Sequence, residues 1–159
     1  MSRGGLTPGE LALRSAYFTL LQGAYSDNGY PVPVYDNVFD QLRFPYIVLG
    51  SHETANTSGG SSLGSKLDYI QDISLSVFVY SGRADQYGSK KLAHEIGIKI
   101  TQLVTQGNGK NLNLGPDHYL LMAVQVGNQA ATEAWQTGRV QMYEMEFLNK
   151  VDVQGTYQG

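Results

Sequence analysis

The chain of 159 residues contains no cysteine, which excludes disulfides, thiolate nucleophiles and cysteine-ligated metals and leaves the redox compartment unread. Charge is also scarce: Asp, Glu, Lys and Arg make up 16% of the residues, against about 25% in an average globular domain. The 11 lysines and arginines are scattered and the net charge is -3, so the clustered cations that neutralise phosphates are missing and binding to nucleic acid in bulk is disfavoured. No apolar run approaches the roughly 18 residues of a membrane span. The opening MSRGGLTPGELALRS lacks the apolar stretch of a secretory signal, so the expectation is a cytosolically made soluble protein with no membrane partner. Polarity comes instead from Ser, Thr, Asn, Gln and 11 tyrosines. Interface cores are poor in charge and rich in Tyr, and this composition favours a protein that works in contact with others. With 42% hydrophobic residues, residues 1–159 are expected to form one domain with a single core.

Local signals give the element order. Thr7, Pro8 and Glu10 form a capping signature, and Leu13, Tyr17, Leu20, Leu21 and Ala24 share one face, which predicts a helix over 8–24. YPVPVYDNV carries two prolines and supports only an irregular or edge strand, near 33–36. FPYIVLGSHET predicts a strand over 45–54. KLDYIQDISLSVFVYS alternates with Leu67, Tyr69, Ile73, Leu75, Val77 and Val79 on one face, predicting a strand over 66–80. Ala84, Leu92, Ile96, Ile100, Leu103 and Val104 mark a second helix, its core expected in the C-terminal half, ended by Gly107 and Gly109. A short strand in LNLG, a fuller one over 119–127 and a last one over 138–150 follow. The pattern is α+β: a mostly antiparallel sheet with two helices packed on one face.

The nine residues NTSGGSSLG between the second and third strands, Asn56, Thr57, Ser58, Gly59, Gly60, Ser61, Ser62, Leu63 and Gly64, invite an active-site reading. Gly60-Ser61-Ser62-Leu63-Gly64 satisfies G-x-S-x-G literally. A nucleophile elbow needs a helix directly after the serine, and here a strand follows, so the segment reads as a hairpin loop. GNGKN at Gly107–Asn111 fails the phosphate-loop pattern, with Val104 and Asn111 at the two required Gly and Ser/Thr positions. It reads as a helix end and a turn. His52, His94 and His118 fall in different elements without ligand spacing. Glu144 and Glu146 would share a strand face about 7 Å apart, within the range of a glycosidase carboxylate pair, but acids on a face of an edge strand are ordinarily solvated. Trp135 is expected in a loop, NQAATEAWQTG, as a lid on the core edge or as a partner contact. Catalytic residues, metal ligands and cofactors are therefore expected to be none.

A domain of this length has a diameter of about 40 Å, and a strand over 66–80 would be about 50 Å long. The start of that strand is therefore expected to leave the globule as a long projecting β-hairpin tipped by the Gly/Ser segment. Such a low-charge tip suits ordering on contact with another subunit. Asn56 to Leu63 and Trp135 are the candidate subunit or tube contacts.

VYDNV followed by FPYIVLG, then SLSVFVYSGR leading into KKLAHEIGIKITQL, and the closing TGRVQMYEMEFL, resemble the small tail-completion or tail-terminator proteins of long-tailed bacteriophages over roughly residues 10–150. The resemblance implies a virion protein of the head-tail junction, made in the host cytoplasm. It implies a ring of self-associated subunits, typically six, that caps the tail tube and meets the head-completion or connector protein. Genomic DNA would pass through the ring without specific binding. The NTSGGSSLGSK insertion departs from the pattern. A head-side connector or stopper of similar build is the competing reading, with a non-viral binding module behind it.

Overall fold

The structure is a computed structural model and describes residues 8–36, 43–56, 70–83, 89–135 and 138–152. Helix α1 runs Pro8–Leu21, with Pro8 at its first position as the sequence requires. Directly after it, Ser26–Asp27 (β1) and Tyr30–Pro31 (β2) close a two-residue hairpin on Asn28 and Gly29. Both turn residues have positive φ, 52° and 83°, the geometry that Asn-Gly favours in hairpins. Then follow β3 (Val34–Tyr35), β4 (Tyr46–Asn56), β5 (Ile70–Arg83), α2 (Ser89–Thr105), a 3-10 turn (Gln106–Asn108), β6 (Tyr119–Trp135) and β7 (Gly138–Asp152).

The five longer-range strands form one sheet in the order β3-β4-β5-β7-β6, antiparallel except for β3 beside β4. The expected α+β class is the class observed. Period-2 burial accounts for it: Ile73, Leu75, Val77 and Val79 of β5 are fully buried, as are Met145, Phe147 and Val151 of β7. Against them pack Leu13, Tyr17 and Leu21 of α1 and Ile96, Ile100 and Val104 of α2, the faces marked by the 3.6-residue spacing. Gly97 lets α2 close on β7, because a side chain there would run into the Tyr143 ring. A smaller cluster of Tyr46, Val48, Tyr80, Val140 and Met142, joined by Tyr35, Phe44 and Phe78, lies apart from this core. Strand alternation sets its β-strand members on the sheet face turned away from the helices.

Several expectations need correction. The helix expected over 8–24 ends at Leu21, because the chain turns at Gly23, with φ 71°, into the β1–β2 hairpin. Further on, β3 and β4 are parallel and so are not joined as a hairpin, and Tyr46 meets Tyr35 edge-on and Phe44 in a stack. LNLG is no strand: Asn113 accepts a hydrogen bond from the Gly115 N–H at 2.9 Å, so a side-chain turn replaces a ladder while Leu112 and Leu114 stay buried. The strand that contains Glu144 and Glu146 is not an edge; β7 lies between β5 and β6. Residues 128–135 are not a loop but the second half of β6, paired with β7 as far as Trp135–Gly138.

The expected projecting hairpin is answered only in part. Its tip, residues 57–69, lies outside the described residues. Up to Asn56 and Gln71 the β4–β5 pair is backed by β7, Gln71 pairing with Val151, so its described part belongs to the sheet. β6 and β7 are long as well, with 17 and 15 residues, about 50 Å each. Bulges in β4, β5 and β6 bend and twist so long a sheet over its helices.

Candidate functional site

The candidate contact residues do not converge. Asn56 closes β4 opposite Gln71, and Trp135 closes β6 opposite Gly138. Gln71 to Arg83, whose partner is Val140, spans 12 steps of β5, so the two positions sit at opposite ends of the sheet, about 40 Å apart. Thr57, Ser58, Gly59, Gly60, Ser61, Ser62 and Leu63 lie outside the described residues, as does Gly64, and the literal G-x-S-x-G match goes with them.

The histidines are dispersed as their sequence positions require. The His52 Nε2 approaches Glu10 Oε1 at 3.4 Å, and Thr54 Oγ1 donates to the other oxygen of Glu10. This is a polar seam where the first turn of α1, whose dipole favours a carboxylate, meets β4. Beside it Arg14 donates to the carbonyls of Gly50 at 2.6 Å and Leu49 at 3.2 Å and pairs with Asp36 at 3.2 Å, satisfying acceptors opened by the β4 bulge. His94 stands edge-on to Tyr143 with ring centres 4.9 Å apart. His118 lines a depression beside Lys110, formed by residues 107–121. Several backbone donors there are taken: Gly109 and Lys110 N–H bond Gln106 O, and Leu112 N–H bonds Gly109 O. A helix C-terminus, not an N-terminus, lies beside it, and its dipole does not favour an anion.

Glu144 accepts a hydrogen bond from Gln129 at 3.0 Å, and both line a shallow surface depression with Glu146, Gly127 and Asn128. No group of three metal-ligating side chains occurs among the described residues. Single alanine replacements of His52, His94 and His118 are expected to leave the fold intact, with His52→Ala losing about 1 kcal/mol of stability through the Glu10 contact. Urea unfolding checks this, and an unchanged midpoint for His52→Ala would remove the Glu10 contact from the account of the seam.

The feature that sequence reasoning missed is the outer edge of β6. Asn128, Gln129, Ala130, Ala131 and Thr132 are all exposed, and Val126 beside them is half exposed, at 52%. The signal was present in NQAATEA, a polar and charge-poor run, but weak β-propensity hid it. No family model matches the chain, and no curated protein matches it.

Proposed function

We propose that this protein is a virion structural protein, a tail terminator or tail-completion subunit that assembles as a ring, in all expectation of the resemblance a hexamer, on the end of a tail tube and joins it to the head connector. The observation that carries the reading is the placement of Asn56 and Trp135 at opposite ends of one sheet about 40 Å long. A subunit that must touch a tube on one side and a connector on the other needs two contact sites held apart by a rigid body, and a five-stranded sheet stiffened by two helices is such a body. The resemblance supplies the biological context: Val34 and Tyr35 of VYDNV form β3, Tyr46 to Gly50 of FPYIVLG lie in β4, and SLSVFVYSGR lies in β5 ahead of α2. Low charge suits lasting contact with other proteins. In this reading DNA passes through the ring without specific recognition.

Electron microscopy of lysates from phage lacking this protein tests the proposal. The expected outcome is overlong or unjoined tails beside heads filled with DNA. Tails of normal length beside heads that fill and then leak would move the protein to the head side of the neck, as a connector or stopper, and end the terminator reading.

A further inference from the structure

The two edges of the sheet are built differently. On one side β3 is only two residues long, its Val34 N–H donates to Gln22 Oε1 at 2.9 Å, and Arg14 occupies the carbonyls of Leu49 and Gly50 on β4. Shortness and side-chain cover are ways in which proteins blunt an edge against pairing with another chain. On the other side β6 runs for 17 residues with Glu133 as its one charged residue and no proline or lysine. Two bulges interrupt its first half, but from Gly127 to Trp135 its register with β7 is unbroken. That regular half, with Asn128 to Thr132 exposed, has no further strand beside it among the described residues.

We propose that the outer edge of β6 pairs antiparallel with the same strand of a second copy, about a two-fold axis at Ala131, to give a continuous ten-stranded sheet. A second copy can offer either its blunted edge or its own β6, and among the described residues β6 presents the longer regular edge, the blunted side leaving at most the six residues after Gly50 of β4 without a strand beside them. A strand set antiparallel to itself matches donors to acceptors without further design, and the contact is closed, so it stops at two. Side-chain alternation requires the axis to pass a residue facing its own copy. With Ala131 there, Ala130 faces Thr132 and uncharged Gln129 stands opposite Glu133, whereas an axis at Ala130 would set Glu133 against Gly127. Small side chains at the centre let the two backbones approach. The inference goes beyond the terminator reading and does not depend on it: it describes the free chain in solution, where a two-fold pair would occupy the edge before any ring forms.

The absence of cysteine makes the test direct. Residues facing each other across an antiparallel pair have Cα atoms about 4.5–5.5 Å apart, within disulfide range. Ala131→Cys is therefore expected to give a covalent dimer on mild oxidation, and Ser15→Cys, on the exposed outer face of α1, is expected to give none under the same conditions. Ala131→Lys sets two like charges at the axis and is expected to weaken self-association in sedimentation by about tenfold, with an unchanged melting temperature in dilute solution. Equal cross-linking at both cysteines, no cross-linking at Ala131→Cys, or an Ala131→Lys variant that sediments like the parent would overturn the proposal. Tail length in lysates reports on the terminator reading alone, so the two fail separately.

Discussion

Asn149→Leu is expected to cost about 2–5 kcal/mol of folding stability, because it removes the amide at the centre of the buried contact between α1 and the sheet and leaves its partners unmatched. Asn149 is fully buried. Its Oδ1 accepts from the Tyr17 hydroxyl at 2.6 Å, and its Nδ2 donates to the carbonyls of Ile73 at 3.0 Å and Phe147 at 3.3 Å. Leucine keeps the branched shape but carries bulkier methyl groups, so the loss of hydrogen-bond partners is joined by some overpacking. Adding Tyr17→Phe removes the stranded hydroxyl, and the double variant is expected to recover at least half of the loss, since deleting both partners of a buried bond is far cheaper than deleting one. Urea unfolding with an unchanged m-value reads both; a single-variant loss below about 1 kcal/mol would remove this contact from the account of the fold.

The same tyrosine makes the fold sensitive to alkali. Burial pushes the Tyr17 hydroxyl far above the usual tyrosine range, with the bond to Asn149 opposing only in part. Tyr80 is pushed up to about 12, first by burial and then by Glu133 and Glu144. The unfolded chain releases these protons near pH 10 while the folded chain holds them. The stabilisation is thus complete below about pH 10 and is lost as pH rises through 12, and Tyr80→Phe is expected to make that decline shallower.

Gly109→Ala is the second large effect, expected at about 2–5 kcal/mol. Gly109 has φ of 94°, where an alanine is strained by about 1–2 kcal/mol. An added Cβ would also stand 2.9 Å from the Ala123 Cβ and 2.6 Å from Leu120 Cδ2, and overpacking of that kind costs about 1–3 kcal/mol more. The loop after α2 is pressed onto β6 at this point, so the strand must shift or the turn must open. Gly115→Ala separates the two contributions: its φ is 89° but nothing lies within 4 Å of the added atom, so only the backbone strain is expected. Equal losses at the two positions would show that the loop does not press on the sheet.

Much of this architecture is legible in local chemistry. The Pro8 start and the 3.6-residue face of α1, the alternation of β5 from Ile73 to Val79, and the glycine stop of α2 each follow from one residue's conformational limits or from one element's need to bury a single face. DNG is itself a hairpin signal, and the β1–β2 pair closes on it.

What the sequence by itself determined was therefore the elements of the core, the α+β class and the scarcity of charge. Strand order, the parallel β3–β4 pair, the inner position of β7 and the strand character of residues 128–135 came only from tertiary structure. The physical reason is that a ladder is stabilised by its neighbour as much as by its own side chains. NQAATEAW has little intrinsic preference for a strand, and it becomes one because β7 supplies a partner from Gly138 to Met145. Whether a strand such as that of Glu144 and Glu146 is inner or edge depends on which other segment lies beside it, and that is a property of the whole sheet that no stretch of sequence carries alone.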